Sequence, residues 1–285
     1  MTEALPDIEE LRAWVGRTET RSDHLDPWTA RAMAATLGRP GVPEAGDPLP
    51  PGWHWAFFRE AAPATALGRD GHPRRGGFLP PVPLPRRMWA GGRLSFPGTL
   101  RVGARAVRVS EILSVEGRQG RTGPLIFVTV RHTIDGGEGP AVAEEHDIVY
   151  RADPRPGDPA PAAQPAPGGA SWTRRVVPDP VLLFRYSALT FNGHRIHYDL
   201  SYATGVEGYP GLVVHAPLMA TLLLDLLERE AGAPPVRHFA FRGMAPVFDT
   251  AAFTLNGRAA GTGAELWVAG PAGELAVNAT ATFGP

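Results

Sequence analysis

Residues 209–228 read Y-P-G-L-V-V-H-A-P-L-M-A-T-L-L-L-D-L-L-E. Leu218, Met219, Leu222, Leu223, Leu226 and Leu227 recur at helical spacing. That leaves the helix apolar on most faces, which predicts that it is buried. Pro217 suits its first turn, where a missing N–H costs nothing. His215 stands at its N-terminus, where unpaired backbone N–H groups make an electrophilic pocket.

A second stretch, Phe184 to Ala203, carries most of the polar chemistry. Leu182, Phe184, Tyr186 and Ala188 alternate with their neighbours at a period of two, which predicts a strand. Asn192-Gly193 then breaks it, because that pair accepts the positive φ angles of a tight turn. His194, His197, Tyr198 and Asp199 follow at once. Titratable groups crowded at the exit of an apolar strand make a poor core and a good site. A solvated hairpin loop is the alternative reading.

Together the two stretches resemble the MaoC-like hydratases and dehydratases of acyl thioesters. The family pattern S-G-D-x-N-P-x-H-x-D-x-x-Y-A is matched at His197, Asp199, Tyr202 and Ala203, and its later helix-entrance histidine at His215. The runs A-L-T-F-N-G-H-R-I-H-Y-D (188–199) and G-L-V-V-H-A-P-L-M-A (211–220) look like the type 2 hydroxyacyl-thioester dehydratase branch, which includes mesaconyl-C4-CoA and itaconyl-CoA hydratases. The resemblance implies an α+β tandem double hot dog, antiparallel sheets each wrapped around a central helix. Two departures touch the chemistry. Asn192 stands where most of the family has the catalytic Asp, and an amide cannot accept a proton as a carboxylate does. His194 stands where the family has Asn. A milder change puts Ala216 in place of glycine after His215.

The proline-rich run 152–171 reads as a linker, since such composition favours solvated, extended backbone. It separates a degenerate hot-dog half, 1–151, from a catalytic half, 172–285. A short amphipathic helix is expected within 2–21, and Asp26-Pro27 caps and opens a second. Strands are expected at 92–96, 105–116, 125–133, 141–150, 236–242, 251–259, 265–269 and 275–283. His54 reads as a neighbour of the aromatic patch 53–58, and His132 and His146 as surface or cross-strand residues. Arg242 is a candidate to pair with a substrate carboxylate or phosphate or with Asp249, the structural pairing being favoured.

Hydrophobic content of 43% and charged content of 20% suit a globular protein with a substantial core. The net charge of −1 offers no footprint for nucleic acid or an anionic membrane. Cysteine is absent, which removes disulfides and thiolate metal sites. The acidic N-terminus lacks a signal pattern, and no apolar run reaches spanning length, so a cytoplasmic enzyme is expected.

Water addition across the α,β bond of a thioester needs a base and a set of donors at the thioester oxygen. His197 is assigned as acid/base, with Asn192 orienting water and His194 assisting. Val214, His215 and Ala216 form the oxyanion side. Arg74, Arg75, Arg86 and Arg87 are candidates for CoA phosphates. The resemblance implies no cofactor or metal, the thioester carrier being CoA or acyl carrier protein. The expected partner is that small-molecule thioester, and the protein is a monomer or homodimer. A thioesterase, a non-catalytic thioester-binding protein, and a metal held by His194, His197 and His215 are the rival readings.

Overall fold

The computed structural model describes residues 6–120, 123–153, 163–230, 232 and 234–284. The buried helix of the sequence is α5 (Ala216–Glu230), and antiparallel strands curve around it. The first half supplies β1 (Thr18–His24), β2 (Arg86–Ser95), β3 (Arg105–Gly120), β4 (Gly123–Asp135) and β5 (Pro140–Arg151). The second supplies β6 (Trp172–Val176), β7 (Val236–Gly243), β8 (Phe253–Ala260), β9 (Gly263–Ala269) and β10 (Leu275–Phe283).

All ten form one sheet in the order β1-β3-β4-β5-β2-β7-β10-β9-β8-β6. The order within each half is the same, so the chain repeats one topology twice. The halves join where β2 pairs with β7, from Gly91↔Arg242 to Ser95↔His238. That pairing removes two sheet edges that would otherwise template aggregation. Gly91 is required at the seam, because a Cβ there would lie 2.4 Å from the Phe241 carbonyl oxygen.

The helices do not repeat so closely. After β1 comes α2 (Pro27–Thr36), and after β6 comes α3 (Pro180–Thr190), each with an Asp N-cap and Pro in the first turn. The two helices pack against each other. Among the described residues, only the second half then adds a central helix. In the first half the matching cover is irregular chain: Val82 and Leu84, with Phe78 and Leu79, pack on Ile112, Val115, Ile126, Val128, Ile148 and Tyr150. Prolines at 80, 81, 83 and 85 deny this segment helical hydrogen bonds. The expected central helix in each half is therefore present in full only as α5. Its far end is tied to both halves through buried Asp225, which Arg174 of β6 holds at 2.6 Å and Arg39 at 3.5 Å.

Three local expectations are corrected. Residues 182–188 form part of helix α3 instead of a strand, for Leu183, Tyr186, Ser187 and Leu189 are buried while Phe184 is 62% exposed. The N-terminal helix is only α1 (Ile8–Arg12), and the chain from Thr18 enters β1. Arg242 is exposed, and Asp249 instead accepts from the Leu212 N–H at 2.8 Å. Of the proposed linker, 154–162 lie outside the described residues. Beyond them the chain docks on the second half: Leu275 N–H bonds Gln164 O, Ala166 N–H bonds Gly273 O, and Ser171 N–H bonds Gly257 O.

Candidate active site

Helix α3 ends on Phe191, a non-glycine residue at φ 51°, which turns the chain sharply and leaves its own ring exposed. Such a conformation costs of order 1 kcal/mol or more and collects at functional sites. The positive φ expected at Asn192-Gly193 thus falls one residue earlier. Gly193 serves a different purpose. A Cβ at Gly193 would lie 2.7 Å from Gly71 O, and one at Gly71 would lie 2.0 Å from Gly193 O. Two backbones cross here, with Arg195 N–H bonded to Asp70 O at 2.9 Å. The triplet Asn192-Gly193-His194 is laid on Asp70-Gly71-His72 of the first half.

The crossing assembles a histidine cluster. His72 and His194 have ring centroids 4.3 Å apart, His194 and His197 5.3 Å, and His197 stacks on His215 at 3.7 Å with 18° between planes. His72 Nδ1–H donates to Asp70 at 3.0 Å. His197 Nδ1–H donates to the Val213 carbonyl at 2.7 Å, which fixes the tautomer and leaves Nε2 as the acceptor. Asn192 Oδ1 accepts from the His194 N–H at 3.0 Å, so its NH2 group remains to be offered elsewhere. His215 is fully buried and hydrogen-bonded to Ser187 Oγ at 2.8 Å.

Burial keeps these rings neutral. Desolvation pushes His197 and His72 down to about 4 and also holds His194 and His215 well below the ordinary imidazole range, the neighbouring imidazoles adding to the effect on both. Burial opposes ionisation of Asp70, but the His72 hydrogen bonds and nearby histidines outweigh it and hold the carboxyl below its usual range.

At the head of α5, no acceptor is found among the described residues for the Ala216 N–H. Val214 N–H is committed to Val247 O at 2.8 Å, whereas the backbone N–H groups of His215 and Ala216 have no acceptor among the described residues and remain to be given. Asp199 caps helix α4 (Leu200–Gly205) through the Tyr202 N–H and pairs with Arg195 at 2.7 Å. It therefore builds the turn.

Two cavities flank the cluster. One, of about 220 Å³, is reached by Asn192, Thr190, Tyr186 and Pro217 and extends to His54, Trp55, Trp89, Arg108, His132, Glu144 and His146 of the first half. His132 and His146, read as surface or cross-strand residues, thus face inward. The other, of about 290 Å³, is lined by Arg69, Asp70, His72, Arg74, Arg75 and Arg87. Arg75 pins its own loop by bonding Val82 O at 2.8 Å and Pro85 O. Arg86 points elsewhere and is held by Glu207 at 2.9 Å and Asp153 at 3.0 Å.

Among the described residues His194, His197 and His215 do not form a set of converging ligand atoms, and His197 Nδ1 is taken by the Val213 carbonyl. Asp70, His72 and His194 do bring ligand atoms within 4.8 Å of one another. Asp70 already accepts from His72 there, and the arginines of the adjoining cavity disfavour a cation. Asp70 and His72 were missed in the sequence reading. The signal was available in the repeated Gly-His that ends both D-G-H and N-G-H.

A family model described as hydroxyacyl-thioester dehydratase type 2 matches residues 52–249. Over 276 residues the chain is 51% identical to the mesaconyl-C4-CoA hydratase of Chloroflexus aurantiacus, covering 95% of this chain and 97% of that one. An 80-residue stretch is 40% identical to the mitochondrial hydroxyacyl-thioester dehydratase type 2 of Schizosaccharomyces pombe, covering 27% of this chain and 26% of that one. Among solved structures, a MaoC-like dehydratase superposes with a TM-score of 0.67 at 15% identity, covering 95% of this chain and 99% of that one. HtdX of Mycobacterium tuberculosis gives 0.64 at 17%, covering 94% and 100%. At these identities the superpositions speak for the double hot-dog fold alone.

Proposed function

This chain belongs to the type 2 hydroxyacyl-thioester dehydratase family, and from that premise we propose that it hydrates a short enoyl-CoA bearing a second carboxylate, as mesaconyl-C4-CoA does. It is a hydro-lyase of acyl thioesters. The observation that carries the mechanism is the His197 imidazole, locked by Val213 O, neutral, and beside the head of α5.

In the hydration direction, His197 Nε2 takes a proton from water as the oxygen bonds to the β carbon. Negative charge passes to the thioester oxygen, where the Ala216 N–H and the positive end of α5 stabilise it. The imidazolium then returns the proton to the α carbon, and the enolate collapses to the saturated thioester. Asn192 donates its NH2 to the water and so positions it without accepting a proton. His194, backed by His72 and Asp70, supports the proton's position on His197. The cavity arginines Arg69, Arg74 and Arg87 suit the anionic carrier end. Itaconyl-CoA is the alternative acyl group. The step uses no metal or organic cofactor.

The division into halves 1–151 and 172–285 around a linker at 152–171 is supported by the repeated strand order. We place the enzyme in the cytoplasm as a monomer or homodimer, since its two halves already pair within one chain. No helix among the described residues is long and apolar enough to cross a membrane.

The test is loss of enoyl-thioester absorbance with mesaconyl-C4-CoA and crotonyl-CoA. Wild-type protein is expected to hydrate at least one, and folded His197→Ala to lose roughly 10²–10⁴ of the rate. A near-normal His197→Ala moves the base elsewhere. Free CoA released without a hydrated product makes the protein a thioesterase.

A further inference from the structure

Alternation along the first-half strands sends even-numbered residues inward. On β4 these are Ile126, Val128, Val130, His132 and Ile134, and on β5 Val142, Glu144, His146, Ile148 and Tyr150. Arg108 and Ser110 take the same face of β3, opposite Ile134 and His132. A core-facing sheet of aliphatic side chains is thus interrupted by one polar patch, Arg108, His132, Glu144 and His146. It lies in register across three strands, His132 opposite Glu144 and Val130 opposite His146. Buried charge is costly unless paired, so a patch of this kind calls for a partner.

Part of the patch is satisfied within the protein. Glu144 is 2% exposed, and its carboxylate accepts from His54 Nε2 at 3.1 Å and from Trp55 Nε1 at 3.0 Å. His132 Nδ1 is hydrogen-bonded to Ser110 Oγ at 2.8 Å. Arg108 is not satisfied. Its Nε is buried without a hydrogen-bond partner, its carboxylate neighbour Glu19 stands off at 3.8 Å, and its guanidinium lies over the Phe58 ring. Tyr186 Oη, on the opposite wall, is also buried and unpartnered. Arg108, His132, Glu144, His146 and Tyr186 line the same cavity as Asn192 and Pro217 of the candidate active site.

We propose that Arg108, with His132, His146 and the Tyr186 hydroxyl, binds the free carboxylate of a dicarboxylic acyl group whose thioester end lies at Ala216. This rests on the thioester-hydratase reading of the same cavity and adds the residues that select the acyl group. A fatty acyl tail would set methylene groups against the Arg108 Nε and leave it without a hydrogen bond. A bare hydroxyl would not match a guanidinium, whereas a carboxylate accepts its paired N–H groups. Glu144 does not compete for Arg108's free edge, because its oxygens are occupied by His54 and Trp55. It instead repels a carboxylate from the His54 end and so orients the acyl group. The imidazoles of His132 and His146, kept neutral by burial, supply N–H donors or take up a proton when the anion arrives.

Unreactive saturated thioesters separate binding from chemistry. Succinyl-CoA and butyryl-CoA share a four-carbon chain and differ in the terminal carboxylate. Calorimetry on the full-length protein is expected to show succinyl-CoA bound roughly 10–100-fold more tightly. Arg108→Gln should bring succinyl-CoA down to the affinity of butyryl-CoA, Arg108→Lys should keep part of the difference, and His132→Gln should reduce it. No preference in the wild-type protein, which requires no variant to fold, overturns the proposal. So does a folded Arg108→Gln that keeps the preference. If the preference is found but no enoyl thioester is hydrated, the hydratase reading fails while the carboxylate site stands.

Discussion

The residue that distinguishes this site is Asn192, an amide where the family pattern carries a carboxylate. The structure offers a nearby acid from outside the turn: Asp70, joined to the cluster through His72. If that dyad supports the proton on the His194–His197 pair, Asp70→Asn should lower turnover roughly tenfold or more and change its pH profile. A merely structural Asp70 would alter stability and leave the profile in place. The pH–rate curve of the folded variant decides between them. Asn192→Asp, which restores the family residue, should retain a measurable rate. The sequence made His194, His197 and His215 legible because they sit within recognisable runs. For Asp70 and His72 it held only the repeated Gly-His, because their approach depends on two glycine backbones crossing from opposite halves 122 positions apart.

At the scale of elements, most of the strands were legible from period-two alternation, and α5 from leucines at helical spacing that leave it apolar on most faces. The failures are instructive. β1 (T-E-T-R-S-D-H) and β6 (W-T-R-R-V) are the two outermost strands, charged and without an apolar stripe, as edges are. Periodicity has nothing to report there. Helix α3 was legible by a rule applied elsewhere in the same chain. Asp179-Pro180 repeats the Asp26-Pro27 start of α2, while the chance alternation of Leu182, Phe184 and Tyr186 imitated a strand. The start of α5 carries the element-scale prediction. Ala216→Pro removes the N–H without adding charge and should cut turnover by roughly 10²–10³. The comparison needs unchanged thermal stability, since proline also restrains the backbone. Near-normal turnover in such a variant would remove Ala216 from the oxyanion site.

For the molecule as a whole, joining two hot-dog halves without a second central helix leaves room at the seam, and that room is lined with histidines that burial keeps neutral. His72, His146 and His197 are held to about 4, His132 to about 3, and His194 and His215 lie below their ordinary range for the same reason. Released from the fold, each would titrate near 6.5. Between about pH 4 and 6.5 the unfolded chain therefore binds more protons than the folded one, and stability rises with pH. The contribution is complete above 6.5 and is lost as acid brings the medium through the folded values. Each fully shifted histidine adds about 1.4 kcal/mol per pH unit to the slope in that window. Six acting together should make the fall abrupt, beginning well above the range in which carboxylates such as Glu144, held at about 2, are protonated. Urea midpoints measured at intervals from pH 7.5 to 4.5 should decline steeply below 6.5. His146→Gln should reduce the slope by about one proton. A midpoint that stays level down to pH 5 would mean that these imidazoles are solvated or charged in the folded chain. The histidine cluster could not then be the dry, neutral proton-transfer site that hydration requires.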